Sequence, residues 1–292
     1  MLGKNLKLYG ISRQYLWLMM VGLSLGISSL ILQAYLNQIA AADLPSQTRA
    51  METSLLNTAS GFRQVLRTLE DIDRQQRRQY QPSQQFQGRI IDGVQLPSSQ
   101  KVIALTFDDG PWPQTTAKML DILQAHDVNA TFFVLGSNII RFPDLLKRVA
   151  QDGHAIGNHT WSHHYRYHSP ALAQREIQLT SQVIEKHTGF KTRLFRPPGG
   201  YLDNGLVAYA RTQGQTTVMW TVDDTYSGTV EQAVNNVIQN ATPGGIVLMH
   251  DGGGDRQLMI QALPHIITQL KQQGYQFVTV PQLLDMADKL EQ

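Results

Sequence analysis

Cysteine is absent from the 292 residues, which excludes disulfides, thiolate zinc ligands and thiol nucleophiles together. Any bound metal must therefore be held by His and carboxylate. Excess charge is also scarce: the formal net charge is only +2, and the basic residues are not gathered into a patch with interleaved aromatics. Binding to a phosphate backbone needs such a patch, so nucleic acid is excluded as a partner. The length suggests one large or two modest domains.

One long hydrophobic run is present. Residues 15–36 contain no charge and are rich in Leu, Ile, Val and Met, close to the roughly twenty residues that cross a bilayer core. Lys4, Lys7 and Arg13 precede the run, and the first charge after it is Asp43. That bias places the N-terminus in the cytoplasm and the rest of the chain outside, in the periplasm or cell envelope. A cleaved signal peptide is the competing reading, with Ala40-Ala41-Ala42 as its cleavage site. The run is long for a signal peptide, which favours an uncleaved single-pass anchor. A buried core helix would be expected to show a polar face, and this one has none.

Residues 37–78 read as a stalk. Leu55, Ala59, Phe62, Leu66, Leu69 and Ile72 recur at spacings of three and four, which predicts an amphipathic helix over 48–78 suited to self-association. Residues 79–100, rich in Gln, Ser, Pro and Gly, read as a linker to a domain spanning 101–292, with its start placed between 90 and 101. Beyond it, strand candidates fall at 102–107, 130–135, 155–157, 194–195, 217–222, 246–249 and 277–280. Helix candidates fall at 116–125, 144–151, 171–187, 204–212, 230–240, 257–273 and 281–289. About seven repeats of strand then helix predict parallel strands, as a barrel or an open sheet, with the site at the strands' C-terminal ends.

The polar residues obey that rule. Asp108 and Asp109 end the first strand candidate, and Gly110-Pro111 then turns the chain. His159 follows the third, Arg196 ends the fourth, Asp223 and Asp224 end the fifth, and His250 with Asp251 ends the sixth. Asp-Asp inside a strand would bury an unpaired charge, whereas at its end both carboxylates can face one pocket. His159 and His163, four residues apart, would share one face if helical. With one carboxylate from Asp108-Asp109 they form a two-His, one-carboxylate set that leaves positions open for water and substrate, the pattern of a catalytic metal rather than a structural one. The other carboxylate can then serve as general base, and His250 can face the leaving group as general acid.

These residues carry a resemblance. TFDDGP at 106–111, HTWSH at 159–163, RPPGG at 196–200, WTVDD at 220–224 and LMHD at 248–251 resemble the five ordered motifs of the polysaccharide deacetylase family, the NodB-homology domain of carbohydrate esterase family 4. The likeness spans about 101–284 and continues through the GGGDR, ALP and GYQFVTVPQLL segments. It implies a distorted (β/α) barrel of about seven strands that removes acetyl groups from polysaccharides with one divalent metal, commonly Zn2+, with Co2+, Ni2+ or Mn2+ as alternatives. It implies Asp108 as base, Asp109, His159 and His163 as metal ligands, and His250 as acid. Arg196 would hold Asp108, Leu248 would contact the acetyl methyl, Trp220 would line the substrate groove, and a backbone N–H near Gly199 would stabilise the oxyanion.

Two departures stand out. The third motif often has Tyr where Gly199 stands. The fourth motif is one residue short, leaving Asp223 or Asp224 to orient His250, with Asp223 preferred, and Tyr226 to replace the usual groove Trp. The resulting expectation is a membrane-anchored, metal-dependent deacetylase acting on an N-acetylated glycan outside the cytoplasm, most simply peptidoglycan. The alternatives are a non-catalytic glycan-binding envelope protein, and a hydrolase of the same fold acting on another amide or acetyl ester.

Overall fold

The computed structural model describes residues 83–223 and 228–290. The expected anchor at 15–36 and stalk helix at 48–78 lie outside them, as do Asp224 and Tyr226. Among the described residues no helix is long and apolar enough to cross a membrane.

In chain order the elements are β1 (Ile90–Ile91), β2 (Val102–Asp108), α1 (Thr116–Ala125), β3 (Thr131–Val134), α2 (Gly136–Arg141), α3 (Pro143–Gln151) and β4 (Ala155–Asn158). They continue with α4 (Pro170–Thr188), β5 (Leu194–Phe195), α5 (Leu206–Thr212), β6 (Thr216–Val218), β7 (Val222–Asp223) and α6 (Val230–Asn240). The last are β8 (Gly245–His250), α7 (Gln257–Gln272), β9 (Gln276–Phe277) and α8 (Val280–Leu290). The strands form one parallel sheet in the order β1-β6-β5-β4-β3-β2-β8-β7, with β9 paired to the first residues of β2.

The sheet curls as a half-barrel, so the expected distorted (β/α) barrel of about seven parallel strands is met in part, as a curled parallel sheet. Among the described residues no ladder joins β1 to β7, which end the path on either side. The strand expected over 217–222 breaks at Met219, because its two halves are recruited by different neighbours. β6 pairs with β5 and β1, whereas β7 pairs with β8. Residues 83–100, read above as linker, also belong to the fold. Ile90–Ile91 pairs with β6, Gly93 bridges Gly245, and Phe86, Ile91, Val94 and Leu96 pack on the core. Two apolar residues among Gln and Gly give too short a pattern to announce a strand, and pairing with β6 decides it.

Period-two alternation explains how the sheet positions a site. On β2, Ile103, Leu105 and Phe107 enter the large core that lies against α1, α3, α6 and α7. Val102 and Ala104 face the inside of the curl, where Ile246 of β8 and Val280, Leu283 and Leu284 of α8 close its lower end. Moving up that inner face, the side chains change from apolar to Thr106 and then Asp108. A one-residue slip would exchange the two faces, so burial of Ile103, Leu105 and Phe107 fixes Asp108 inward. On β8 the same alternation puts Leu248 and His250 on that face, and in register Thr106 pairs with Leu248 and Asp108 with His250.

Candidate active site

Asp108 is the last residue of β2, and Asp109 follows with φ 75°. This left-handed turn undoes the alternation of an extended chain. Both carboxylates therefore line one cleft of about 900 Å³, together with His159, His163, Gly199, Trp220, Asp223, Leu248 and His250. Of the remaining expected residues, Arg196 lies directly behind Asp108, and Tyr226 falls outside the described residues. Asp223 accepts a bond from the indole Nε1 of Trp220 at 3.2 Å. It pairs in register with Leu248, two residues before His250 on the same face.

Arg196 has no exposed surface. Its Nη1 donates to Asp108 Oδ1 at 2.8 Å and to Thr106 Oγ1 at 2.8 Å, its Nε to the Val218 carbonyl at 2.9 Å, and its Nη2 to the Met219 carbonyl at 3.0 Å. Its guanidinium carbon lies 4.1 Å from the centroid of the Phe133 ring. A buried charge is tolerable only when paired and bonded in this way. The pair fixes Asp108 with one oxygen engaged and Oδ2 turned toward His159, 3.6 Å away.

His159 and His163 reach one point without the helical turn that their spacing suggested. Residues 159–163 are irregular, with Thr160 at φ 72° and His163 at φ 57°. The loop is clamped by Glu176 of α4, which is buried and accepts from Trp161 N at 3.0 Å, Ser162 N at 2.9 Å and Ser162 Oγ at 2.8 Å. Nδ1 of His159 lies 2.8 Å from the Arg196 carbonyl, which only accepts, so Nδ1 carries hydrogen and Nε2 faces the carboxylates. Burial pushes the His159 pKa down, against the opposing pull of Asp108 and Asp109.

Asp109 Oδ1 lies 3.0 Å from His163 Nε2 and 3.6 Å from His159 Nε2. It is buried and makes no well-aligned hydrogen bond. Burial alone would raise the Asp109 pKa, but His163, His159 and His250 outweigh it and hold the carboxyl well below the usual carboxylate range. An orphaned carboxylate oxygen within 4.8 Å of two imidazole nitrogens is the donor set of a divalent-ion site with open positions. The residues present fit such an ion.

Of three further residues around the site, Asp251 stands with His250 at its strand end as expected, whereas Glu176 and Arg256 are new to it. Arg256 places Nη2 3.6 Å from Asp109 Oδ2 and donates Nε to the Gly252 carbonyl at 2.6 Å. Asp251, fully buried, accepts from Thr116 Oγ1 and leaves Oδ1 without a partner. Burial, reinforced by the negative Asp109 and Asp108, pushes its pKa up to about 7 against the pull of Thr116. Glu176, Arg256 and Asp251 arrive from helix, loop and strand end. No local pattern marks Glu176, and Arg256 is marked only by falling in the GGGDR segment, whereas Asp251 belongs to the LMHD motif.

Residues 95–218 match the family described as polysaccharide deacetylase. The chain is 43% identical over 195 residues to a peptidoglycan-N-acetylglucosamine deacetylase of Bacillus cereus, covering 65% of this chain and 91% of the relative. It is 36% identical over 264 residues to the peptidoglycan-N-acetylmuramic acid deacetylase PdaC of Bacillus subtilis, covering 87% and 53%. Among solved structures, the Bc1960 peptidoglycan N-acetylglucosamine deacetylase superposes with a TM-score of 0.63 at 37% identity, covering 68% of this chain and 92% of that one. A CE4 family pseudoenzyme from Bacillus anthracis gives 0.61 at 30%, covering 68% and 69%. The chain belongs to the polysaccharide deacetylase family, the CE4 hydrolases.

Proposed function

We propose that this enzyme removes N-acetyl groups from the N-acetylglucosamine or N-acetylmuramic acid of peptidoglycan, outside the cytoplasmic membrane. The observation that carries the reaction is the facing pair Asp108 and His250, register partners across β2 and β8, beside the Asp109–His159–His163 cluster. That the similar structures include a pseudoenzyme shows that the fold alone does not decide catalysis; the residues do. This chain retains base, acid and all three ligands of the family pattern.

A divalent ion held by Asp109, His159 and His163 would polarise the acetyl carbonyl and acidify a water. Asp108, held by Arg196, takes the proton from the attacking water. His250, oriented from the Asp223 side of the cleft, delivers a proton to the leaving amine nitrogen. Leu248 packs against the acetyl methyl, and the backbone at Gly199 faces the developing oxyanion. The uncharged run at 15–36 supports a membrane anchor, and a tethered enzyme samples polymers within reach of its stalk. Peptidoglycan meets that condition, and relatives named for both of its sugars support the same substrate.

The test is acetate release by the full-length chain in detergent, from peptidoglycan and from N-acetylglucosamine polymers, after chelation and after zinc is restored. Zinc-dependent release that Asp108→Asn abolishes is expected, with the deacetylated sugar identified by mass spectrometry of the digested product. Metal binding without acetate from either polymer would overturn the reading.

A further inference from the structure

Tyr165 and Tyr201 are 55% and 50% exposed, although each is a large aromatic beside the cleft. Their ring centroids are 5.7 Å apart, and the Tyr165 ring meets His163 edge to face at 5.2 Å. The segments that carry them are tied together, His168 N donating to the Asn204 carbonyl at 2.7 Å. Gly199 lies beneath both rings. A Cβ placed on Gly199 would stand 2.9 Å from Tyr165 Cε1 and 2.9 Å from Tyr201 Cε2, and its φ of 63° is one that side chains rarely adopt. Glycine at 199 therefore does more than remove the aromatic that often stands there. It makes room for two aromatic rings, one from the segment after His163 and one from two residues further on, which occupy the space over the vacated position.

We propose that Tyr165 and Tyr201 form a stacking platform for the pyranose next to the one being deacetylated, so that glycan chains are preferred to short saccharides. The proposal rests on the deacetylase reading. Pyranose rings present C–H groups on a face, and the electron-rich face of an aromatic ring receives such groups while the phenol hydroxyl remains available to sugar hydroxyls. Tyrosine supplies this area at a low entropy cost. A chain of sugars suits the surface better than a second protein does, because the platform is continuous with the cleft. Tyr165 touches a candidate metal ligand on one side and Tyr201 on the other, so a ligand stacked on the pair extends directly from the reacting group.

The experiment compares full-length wild type with the double variants Tyr165→Ala/Tyr201→Ala and Tyr165→Phe/Tyr201→Phe. KM and kcat are measured on the N-acetylglucosamine hexamer and dimer, and co-sedimentation with insoluble N-acetylglucosamine polymer is measured separately. The alanine pair is expected to raise KM for the hexamer about tenfold more than for the dimer, with kcat for both changed in the same proportion, and to sediment less. The phenylalanine pair, which keeps the faces, should restore the hexamer preference. Equal losses on hexamer and dimer, or failure of the phenylalanine pair to rescue, would overturn the proposal. Should no acetate be released from any substrate, the deacetylase reading fails by itself. Sedimentation then decides the platform: loss in the alanine pair alone upholds it, and no difference from wild type sinks it.

Discussion

The carbonyl of Arg196 accepts the Nδ1 hydrogen of His159 at 2.8 Å, while the guanidinium of the same Arg196 holds Asp108. One residue at the end of β5 thus sets the tautomer of a candidate metal ligand through its main chain and the position of the candidate base through its side chain. Replacing the side chain should separate the two effects. Arg196→Ala leaves Asp108 buried without its counter-charge, and should cost roughly 3–5 kcal/mol of stability. Arg196→Lys keeps charge but loses the fork, and should retain more stability while still losing activity, since one ammonium cannot reach Asp108, Thr106 and two carbonyls together. Denaturant unfolding and acetate release on the same samples check both outcomes.

Glu176 acts one step further out. Its carboxylate gathers two backbone N–H groups and one hydroxyl of the loop between His159 and His163. Without it, Thr160 and His163 lose the support that keeps them at positive φ. Glu176→Ala should weaken zinc binding about 10- to 100-fold, the usual effect of removing a residue that orients ligands. Equilibrium dialysis of zinc measures this, and an unchanged affinity would show that the loop holds its own shape.

Much of this was legible in the sequence, for reasons that can be named. Helices 116–125 and 230–240 match α1 and α6 at both ends, because amphipathic period and flanking residues agree there. Asp108, His159, Arg196, Asp223 and His250 lie at or just past strand ends, where one topological rule put them. Where local pattern and tertiary demand parted, the reading failed. α2 opens on Gly136, whose added Cβ would stand 2.4 Å from Trp161 and 2.6 Å from Thr180 Oγ1. Glycine is there for close packing, but in a sequence it signals a break. The break of 217–222 into β6 and β7 depends on which neighbour each half finds. Glu176 serves the site from a helix whose sequence gives no hint of it.

Gly157 and Phe133 provide a packing test. A Cβ on Gly157 would lie 2.3 Å from Phe133 Cδ1, and the Phe133 ring supports Arg196 at 4.1 Å. Gly157→Ala should therefore cost about 1–3 kcal/mol through overpacking, and should lower activity because displacement passes from Phe133 to Arg196 and Asp108. Gly157→Ala combined with Phe133→Leu should recover part of the stability. It should not recover activity to the same degree, because the ring beneath the guanidinium is gone. Melting temperature and turnover of the three variants separate strain from loss of support.

His154 sets a pH dependence that lies away from the candidate metal ligands. It is buried, its Nδ1 accepts from Ala130 N at 3.1 Å, and its ring meets Phe132 edge to face at 5.3 Å. Burial, with a smaller push from Arg148, lowers its pKa from 6.5 to about 4. Above the unfolded value both states are neutral and the residue contributes no slope. Between the unfolded and folded values the unfolded chain takes up a proton that the native state refuses, so stability falls as pH falls. The loss from this group alone should build through that window to on the order of 3 kcal/mol. Other buried groups titrate there, Asp251 with the opposite sign, so the difference between wild type and His154→Phe isolates the term. Unfolding free energies measured at intervals from pH 7 to pH 4 should show wild type losing stability relative to His154→Phe as acid is added. Parallel curves would mean that His154 is protonated in the native state as readily as in the unfolded chain.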